Sequence, residues 1–213
     1  MIGVIFDMDG TLLDTQRIYI DAWNIVGNEF GIANMGRLMP DVCGMSEHNW
    51  KAYLRNRFPT LDIEPFHTKV KDYIATYGEV RFKAGAEQLL DFLKEKNIKI
   101  AIASGSGREL IEHCMNKLGA LERFDVVVGG ADVKNGKPAP DIFLLAAEKL
   151  GIAPEDCFVM EDSKNGLLAA HRAGIRAIGI PDIVSFDEET KEIMFAELET
   201  LADAIELLTP YIG

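Results

Sequence analysis

The chain has 213 residues, enough for one large domain or a domain with a smaller insert, and 48% of them are apolar, as expected for a protein with a real core. Lys and Arg total 22 against 34 Asp and Glu, a formal net charge of -12, which argues against a nucleic-acid backbone or an anionic membrane as partner and leaves any anionic ligand to a local positive site. No apolar run is long enough to span a bilayer, the N-terminus lacks the basic flank of a signal peptide, and Cys43, Cys114 and Cys157 are odd in number, far apart and without metal spacing, so the expectation is free thiols in a reducing cytoplasm.

In chain order, Ile2 to Phe6 is an apolar run that reads as a buried strand and ends in Asp7-Met8-Asp9-Gly10-Thr11. Gln16 to Phe30 has apolar residues at helical spacing (Ile18, Ala22, Ile25, Val26) and stops at Gly31. Ser46 caps a second expected helix that ends before Pro59, and Pro65 opens a third that ends near Gly78. From Phe82 the rhythm changes. Glu87 to Lys96 reads as helix, Ile98 to Ala103 as strand, Arg108 to Leu118 as helix, Val126 to Val128 as strand, and Pro140 to Leu150 as helix. Cys157 to Met160 then reads as strand, Asn165 to Ala173 as helix and Ile175 to Ile180 as strand, followed by a short apolar piece at 193–195 and a helix near Leu201 to Leu208. Short strands joined by helices predict an α/β fold, a Rossmann-like parallel sheet wrapped on both faces. The expected layout is a core of residues 1–14 and 82–213, interrupted after its first strand by a helical insert, 15–81.

In open sheets of this kind ligands bind at the C-terminal ends of the strands, and polar residues recur there. Asp7 and Asp9 alternate so as to start on one side of the chain. Two such carboxylates repel and lose water, which makes sense if a cation sits between them, or if one attacks and the other moves a proton. The second strand ends in Ser104-Gly105-Ser106-Gly107 ahead of a helix. This turn suits an anion site, and equally a plain N-cap by Ser106. After the third strand, Lys137 precedes Pro138-Ala139-Pro140, which holds it at a fixed loop position, whereas Lys134 reads as an exposed loop lysine. The fourth strand ends in Glu161-Asp162-Ser163, a second acidic pair, although Asp162 and Ser163 also suit a helix cap. Mg²⁺ takes oxygen ligands with few carboxylates and several waters.

This set resembles the four motifs of the haloacid dehalogenase-like superfamily: Asp7-Met8-Asp9-Gly10-Thr11, Ser104, Lys137 in Gly-Lys-Pro-Ala-Pro-Asp, and Glu161-Asp162. The resemblance runs from Ile2 to about Pro181 and is strongest to the β-phosphoglucomutase and sugar-phosphate phosphatase branch. It implies that Asp7 attacks phosphorus and that Asp9 protonates the leaving oxygen and then takes a proton from water. It also implies that Mg²⁺ is held by Asp7, the carbonyl of Asp9 and Asp162, with Glu161 as an outer or alternate ligand. Ser104 and the Gly105 N–H would bind phosphoryl oxygens, and Lys137 would stabilise Asp7 and the transferring group.

An acid at Asp9 sets the chain apart from similar dehalogenases, which need no proton for a halide, and from related P-type ATPases, which carry threonine there. By the same resemblance, mutases carry an arginine for a second phosphate after the segment matched here by Gly44-Met45-Ser46, where this chain has Glu47. They also have a cap histidine where it has Tyr19. A glutamate would repel that phosphate and counts likewise against phosphonoacetaldehyde hydrolase chemistry, which needs a lysine at the same place. Glu47, His48 and Trp50 are therefore cap-side candidates for specificity, with a solvated helix start as the alternative, and Arg108 is a candidate from the core. The expectation is a Mg²⁺-dependent phosphatase of a small phosphorylated metabolite, a sugar or polyol phosphate. A phosphosugar mutase is the alternative and a catalytically idle binding module a remote one. No nucleic-acid or membrane partner is expected, a monomer suffices, and oligomeric state is open.

Overall fold

The computed structural model describes residues 2–43, 45–183 and 185–212. Its centre is a six-stranded sheet, β1 (Gly3–Phe6), β2 (Lys99–Ala103), β3 (Val126–Val128), β4 (Cys157–Glu161), β5 (Arg176–Gly179) and β6 (Ala196–Glu197), in the order β3-β2-β1-β4-β5-β6. All five pairings are parallel. The chain winds outward from β1 through β2 to β3, then returns to the other side of β1 for β4, so the strand order reverses beside β1. That reversal opens the crevice at the strand ends in which such sheets bind ligands.

Strand alternation sorts the core into two layers. Val4, Phe6, Ile100, Ile102, Phe158 and Met160 face one side with α5 (Ala86–Glu95) and α6 (Arg108–Lys117). Ile5, Ala101, Ala103 and Val159 face the other with α7 (Asp141–Leu150) and α8 (Lys164–Arg172). In the register Phe6 lies beside both Met160 and Ile102, so the next residue of β1, Asp7, comes out beside the ends of β4 and β2. Continuing the alternation puts Asp7 on the Ile5 face and Glu161 on the Val159 face, which is one face of the sheet. β6 is two residues long, too short for a periodic signal, and the sequence showed only the apolar piece beside it. Its pairing with β5 extends through Phe195 N–H to the Ala177 carbonyl and Leu198 N–H to that of Gly179.

Between β1 and α5 the chain is helical: α1 (Gln16–Glu29), the short α2 (Met39–Val42), α3 (Glu47–Arg57) and α4 (Ile63–Tyr77). α3 begins at the expected cap, Ser46, whose Oγ accepts the Asn49 N–H. α4 starts two residues ahead of Pro65, which leaves the proline in the first turn where its missing N–H costs nothing. These helices close around their own apolar cluster, with Trp23, Val26, Met35, Leu54, Phe66 and Val70 at its centre. The two connections run side by side. Lys83 N–H donates to the Leu12 carbonyl and Asp14 N–H to that of Arg81, both at 3.0–3.1 Å. Phe66 is fully buried and packs edge-on against Trp23 and Phe30. Phe66→Ala is expected to cost about 3–5 kcal/mol, read as a lower urea midpoint; a loss under about 1 kcal/mol would mean that this cluster does not hold the helices together.

Candidate active site

Among the described residues the buried charged side chains are Asp7, Glu161, Asp162 and Lys137, all at the strand ends around β1. Lys137 leaves the loop after β3 and places Nζ 2.5 Å from Asp7 Oδ1 and 2.6 Å from Glu161 Oε1, above the Phe143 ring at 4.7 Å. Glu161 Oε2 accepts the Ser163 N–H at 2.7 Å and its hydroxyl at 2.8 Å. Both oxygens of Glu161 are thus engaged by protein groups. Glu161, expected as an outer or alternate metal ligand, here holds Lys137. Gly166, in the first turn of α8, lies against this carboxylate so closely that a Cβ would collide with both oxygens.

Burial pushes the Asp7 carboxyl up to about 8, further than the Lys137 ammonium draws it down. Burial also lifts Asp162 well above the carboxylate range, and the charges of Glu161 and Asp7 push the same way. Its only hydrogen-bond partners among the described residues are neutral: Thr11 Oγ1 at 2.9 Å on Oδ1, with Gln16 Nε2 and the Cys43 thiol on Oδ2. Asp9 differs. It is half-buried, Oδ1 accepts from Thr15 Oγ1 at 2.7 Å, and Oδ2 accepts from Ser106 Oγ at 2.8 Å. Burial raises its pKa and these hydroxyls lower it in part.

No three His, Cys, Asp or Glu side chains converge as a metal cage among the described residues. The site is nonetheless suited to a hard divalent cation. Asp7 and Asp162 are buried carboxylates short of positive charge, and the Asp9 carbonyl lies next to Asp162 across one amide group. Two carboxylates and a carbonyl, the rest water, is the donor set Mg²⁺ accepts.

Asp7, Asp9, Ser104, Gly105 and Ser106 line one cavity of about 500 Å³. Ser104 Oγ accepts the Ser106 N–H at 3.1 Å, which folds the turn ahead of α6, where Gly107 is the N-cap. The opposite wall comes from the helical unit: Tyr19, Trp23, Val42, Met45, Glu47, Trp50, His67 and Lys71. Of the specificity candidates, Glu47 and Trp50 reach this cavity. His48 lines a separate cleft beside Lys134 and Asn135. Gly44 lies outside the described residues. Arg108 is a correction: its guanidinium donates to the Val127 carbonyl at 2.6 Å and to Asp132 at 3.1 Å, and it does not line the cavity. A helix start dictates the position of Arg108 but not which way it turns. Thr11, Thr15, Gln16 and Cys43, none of them a site candidate from sequence, also touch the acidic groups. The spacing Thr15–Asp9 was the one local signal available.

Comparison with known proteins matches residues 4–180 to the haloacid dehalogenase-like hydrolase family. A phosphorylated carbohydrates phosphatase of Thermotoga maritima is 37% identical over 182 residues, 84% of each chain. A β-phosphoglucomutase of Bacillus subtilis is 31% identical over 190 residues, 84% of this chain and 83% of the other. Among solved structures, CbbY of Rhodobacter sphaeroides in complex with xylulose-(1,5)-bisphosphate superposes with a TM-score of 0.82 at 28% identity, covering 95% of this chain and 96% of that one.

His67 stacks edge-on against Trp50 at 4.9 Å, and its Nδ1 is 3.5 Å from Glu47 Oε1. Burial holds its pKa down at about 4 against the attraction of Glu47, with Lys71 and Lys51 pushing the same way as burial. A lowered histidine pKa means that the unfolded chain gains its proton first, so this contribution to stability is present above about pH 6.5 and is lost as pH falls toward 4. An NMR titration is expected to show the His67 midpoint at about 4; a midpoint near 6.5 would contradict the burial.

Proposed function

The chain belongs to the haloacid dehalogenase-like hydrolases, and from that premise we propose that it is a Mg²⁺-dependent phosphatase of a small phosphorylated metabolite, a sugar or polyol phosphate, acting through a phosphoryl group carried on Asp7. Within this reading residues 15–81 are a cap over a core of 1–14 and 82–213. The carrying observation is the contrast between two carboxyls in one cavity. Asp7 is held by an ammonium, and Asp9 by two hydroxyls.

Lys137 pins Oδ1 of Asp7 and leaves its other oxygen to attack phosphorus in line with the leaving group. Asp9 keeps a proton more readily than a solvated carboxyl, which suits a group that first donates to the ester oxygen and then accepts from water. Ser104 Oγ and the Gly105 N–H, at the turn into α6, would bind phosphoryl oxygens, with the helix N-terminus adding partial positive charge. Asp7, the Asp9 carbonyl and Asp162 would hold the cation, whose charge offsets the repulsion between carboxylate and phosphate. The wall of Trp23, Trp50, Met45 and Val42 shields these groups from bulk water. The relative named as a phosphatase of phosphorylated carbohydrates supports the substrate class. Three free cysteines support a reducing compartment, and no helix among the described residues is long and apolar enough to cross a membrane.

A mutase reading is favoured by the relative of that name. Glu47 stands against it. Partial burial raises its carboxyl, but the Lys51 hydrogen bond and the charges of His67 and Lys51 hold it below its ordinary range. It presents negative charge in the cavity wall where a second phosphate would need the reverse. With β-glucose 1-phosphate and a bisphosphate primer, the expected product is free phosphate; glucose 6-phosphate without phosphate release would establish the mutase instead.

Asp7→Asn is expected to reduce phosphate release from any metabolite to background. Asp9→Asn should cost about 10²–10⁴-fold on a sugar phosphate and less in the first step with p-nitrophenyl phosphate, whose leaving group needs no proton. Activity that survives Asp7→Asn, or an equal Asp9→Asn loss on both substrates in pre-steady-state bursts, would sink these roles. A screen of phosphorylated metabolites by phosphate release identifies the substrate.

A further inference from the structure

Gln16 is the first residue of α1 and is 2% exposed. Its Nε2 donates to Asp162 Oδ2, lies 2.8 Å from Cys43 Sγ and reaches the carbonyl oxygen of Asp9 at 3.5 Å. Its Oε1 is buried and has no hydrogen-bond partner among the described residues. The group packs onto Gly10, where φ is +85° and a Cβ would collide with the Gln16 amide. The carboxamide is thus wedged between two acidic strand ends with its donor used and its acceptor wasted. An orphaned buried acceptor is costly. The orientation is retained because, among the described residues, Asp162 otherwise has only a hydroxyl and a thiol to meet its charge.

The two oxygens that Nε2 faces, Asp162 Oδ2 and the Asp9 carbonyl, are two of the three groups assigned above to the cation. A single seat between them accommodates an amide nitrogen or a metal ion, not both. We propose that Gln16 is the stand-in for that cation: its amide fills the seat in the metal-free chain and has to withdraw when the ion enters. This rests on the proposed cation-dependent reading. It adds a positioning residue contributed by the helical unit, because Gln16 lies just beyond the Leu12–Thr15 connection and starts α1. Occupancy of the seat is thereby tied to the first turn of that unit. Exchange of amide for ion breaks no covalent bond. It trades one neutral donor for a full charge and frees Oε1 from its partnerless place.

The stand-in stabilises the metal-free state and therefore weakens cation binding. Isothermal titration of Mg²⁺ into the full chain, without substrate, reads this directly. Gln16→Met keeps the shape without the donor, and Gln16→Ala removes the side chain beyond Cβ, in case methionine does not fit. Loss of a hydrogen bond to a charged group predicts Mg²⁺ binding about tenfold tighter in both variants. Melting in EDTA should show a lower Tm for the variants, and the Mg²⁺-induced rise in Tm should be larger than in the wild type. Affinity unchanged in the variants overturns the inference, and weaker affinity does so too, by making Gln16 a ligand. If the wild-type chain takes up Mg²⁺ and the variants match it, this inference alone fails; if the wild type takes up none, the cation-dependent reading fails with it.

Discussion

The site depends on one buried ammonium. Lys137 bridges Asp7 and Glu161 at 2.5 and 2.6 Å, joining the loop after β3 to the ends of β1 and β4. Its own protonation is secure, because the two carboxylates raise its pKa more than burial lowers it. Removing one partner from such a group strands the others in low dielectric, at about 3–5 kcal/mol. Yet Lys137 touches only two of the three buried carboxylates, Asp7 and Glu161, and leaves Asp162 and the half-buried Asp9 to neutral donors. Burial accordingly dominates Asp7 and Asp162 and drives both toward protonation. In the proposed mechanism Asp7 attacks phosphorus as a carboxylate, so the missing positive charge is the central electrostatic demand of the site.

The fold meets the geometric half of that demand. β1 is central, with β2 on one side and β4 on the other. The register that pairs Phe6 with Met160 and Ile102 brings Asp7 out level with Ala103 and Glu161, one residue short of Ser104 and Asp162, without any long loop. Glu161 is held from behind by Ser163 and in turn holds Lys137. The helical unit supplies the other half of the cavity, and some of its contacts reach the acidic centre itself. Asn49 donates to the Lys137 carbonyl and Asn165 to that of Cys43, each at 3.4 Å. The cavity wall and the acidic centre are therefore physically connected through the same helices.

Much of this was legible from the chain. Asp7, Asp9, Ser104 and Lys137 stand at strand ends or in short punctuated loops, where local sequence dictates position, and the structure gathers them at one sheet edge. What escaped depends on contacts between distant residues. Gln16 is 146 positions from Asp162 and carries no mark of its contact beyond being a polar residue at a helix start. The role of Glu161 turns on which of its oxygens Lys137 and Ser163 occupy, a matter of packing. Arg108 and His48 occupy the expected stretches of chain, but one turns to Asp132 and the other faces a different cleft. Motif spacing gives the address of a side chain and not its direction.

Capture of the phosphoryl group on Asp7 tests the account most directly. An Asp9→Asn chain given Mg²⁺ and p-nitrophenyl phosphate lacks the group that activates water, so the acyl phosphate should persist long enough for an acid quench. Borohydride reduction would then convert that residue to homoserine. Peptide mass spectrometry is predicted to find homoserine at position 7 only, and only when substrate and Mg²⁺ were both present. Homoserine at another acidic residue, or none at position 7 while nitrophenol is released in a burst, would contradict the account.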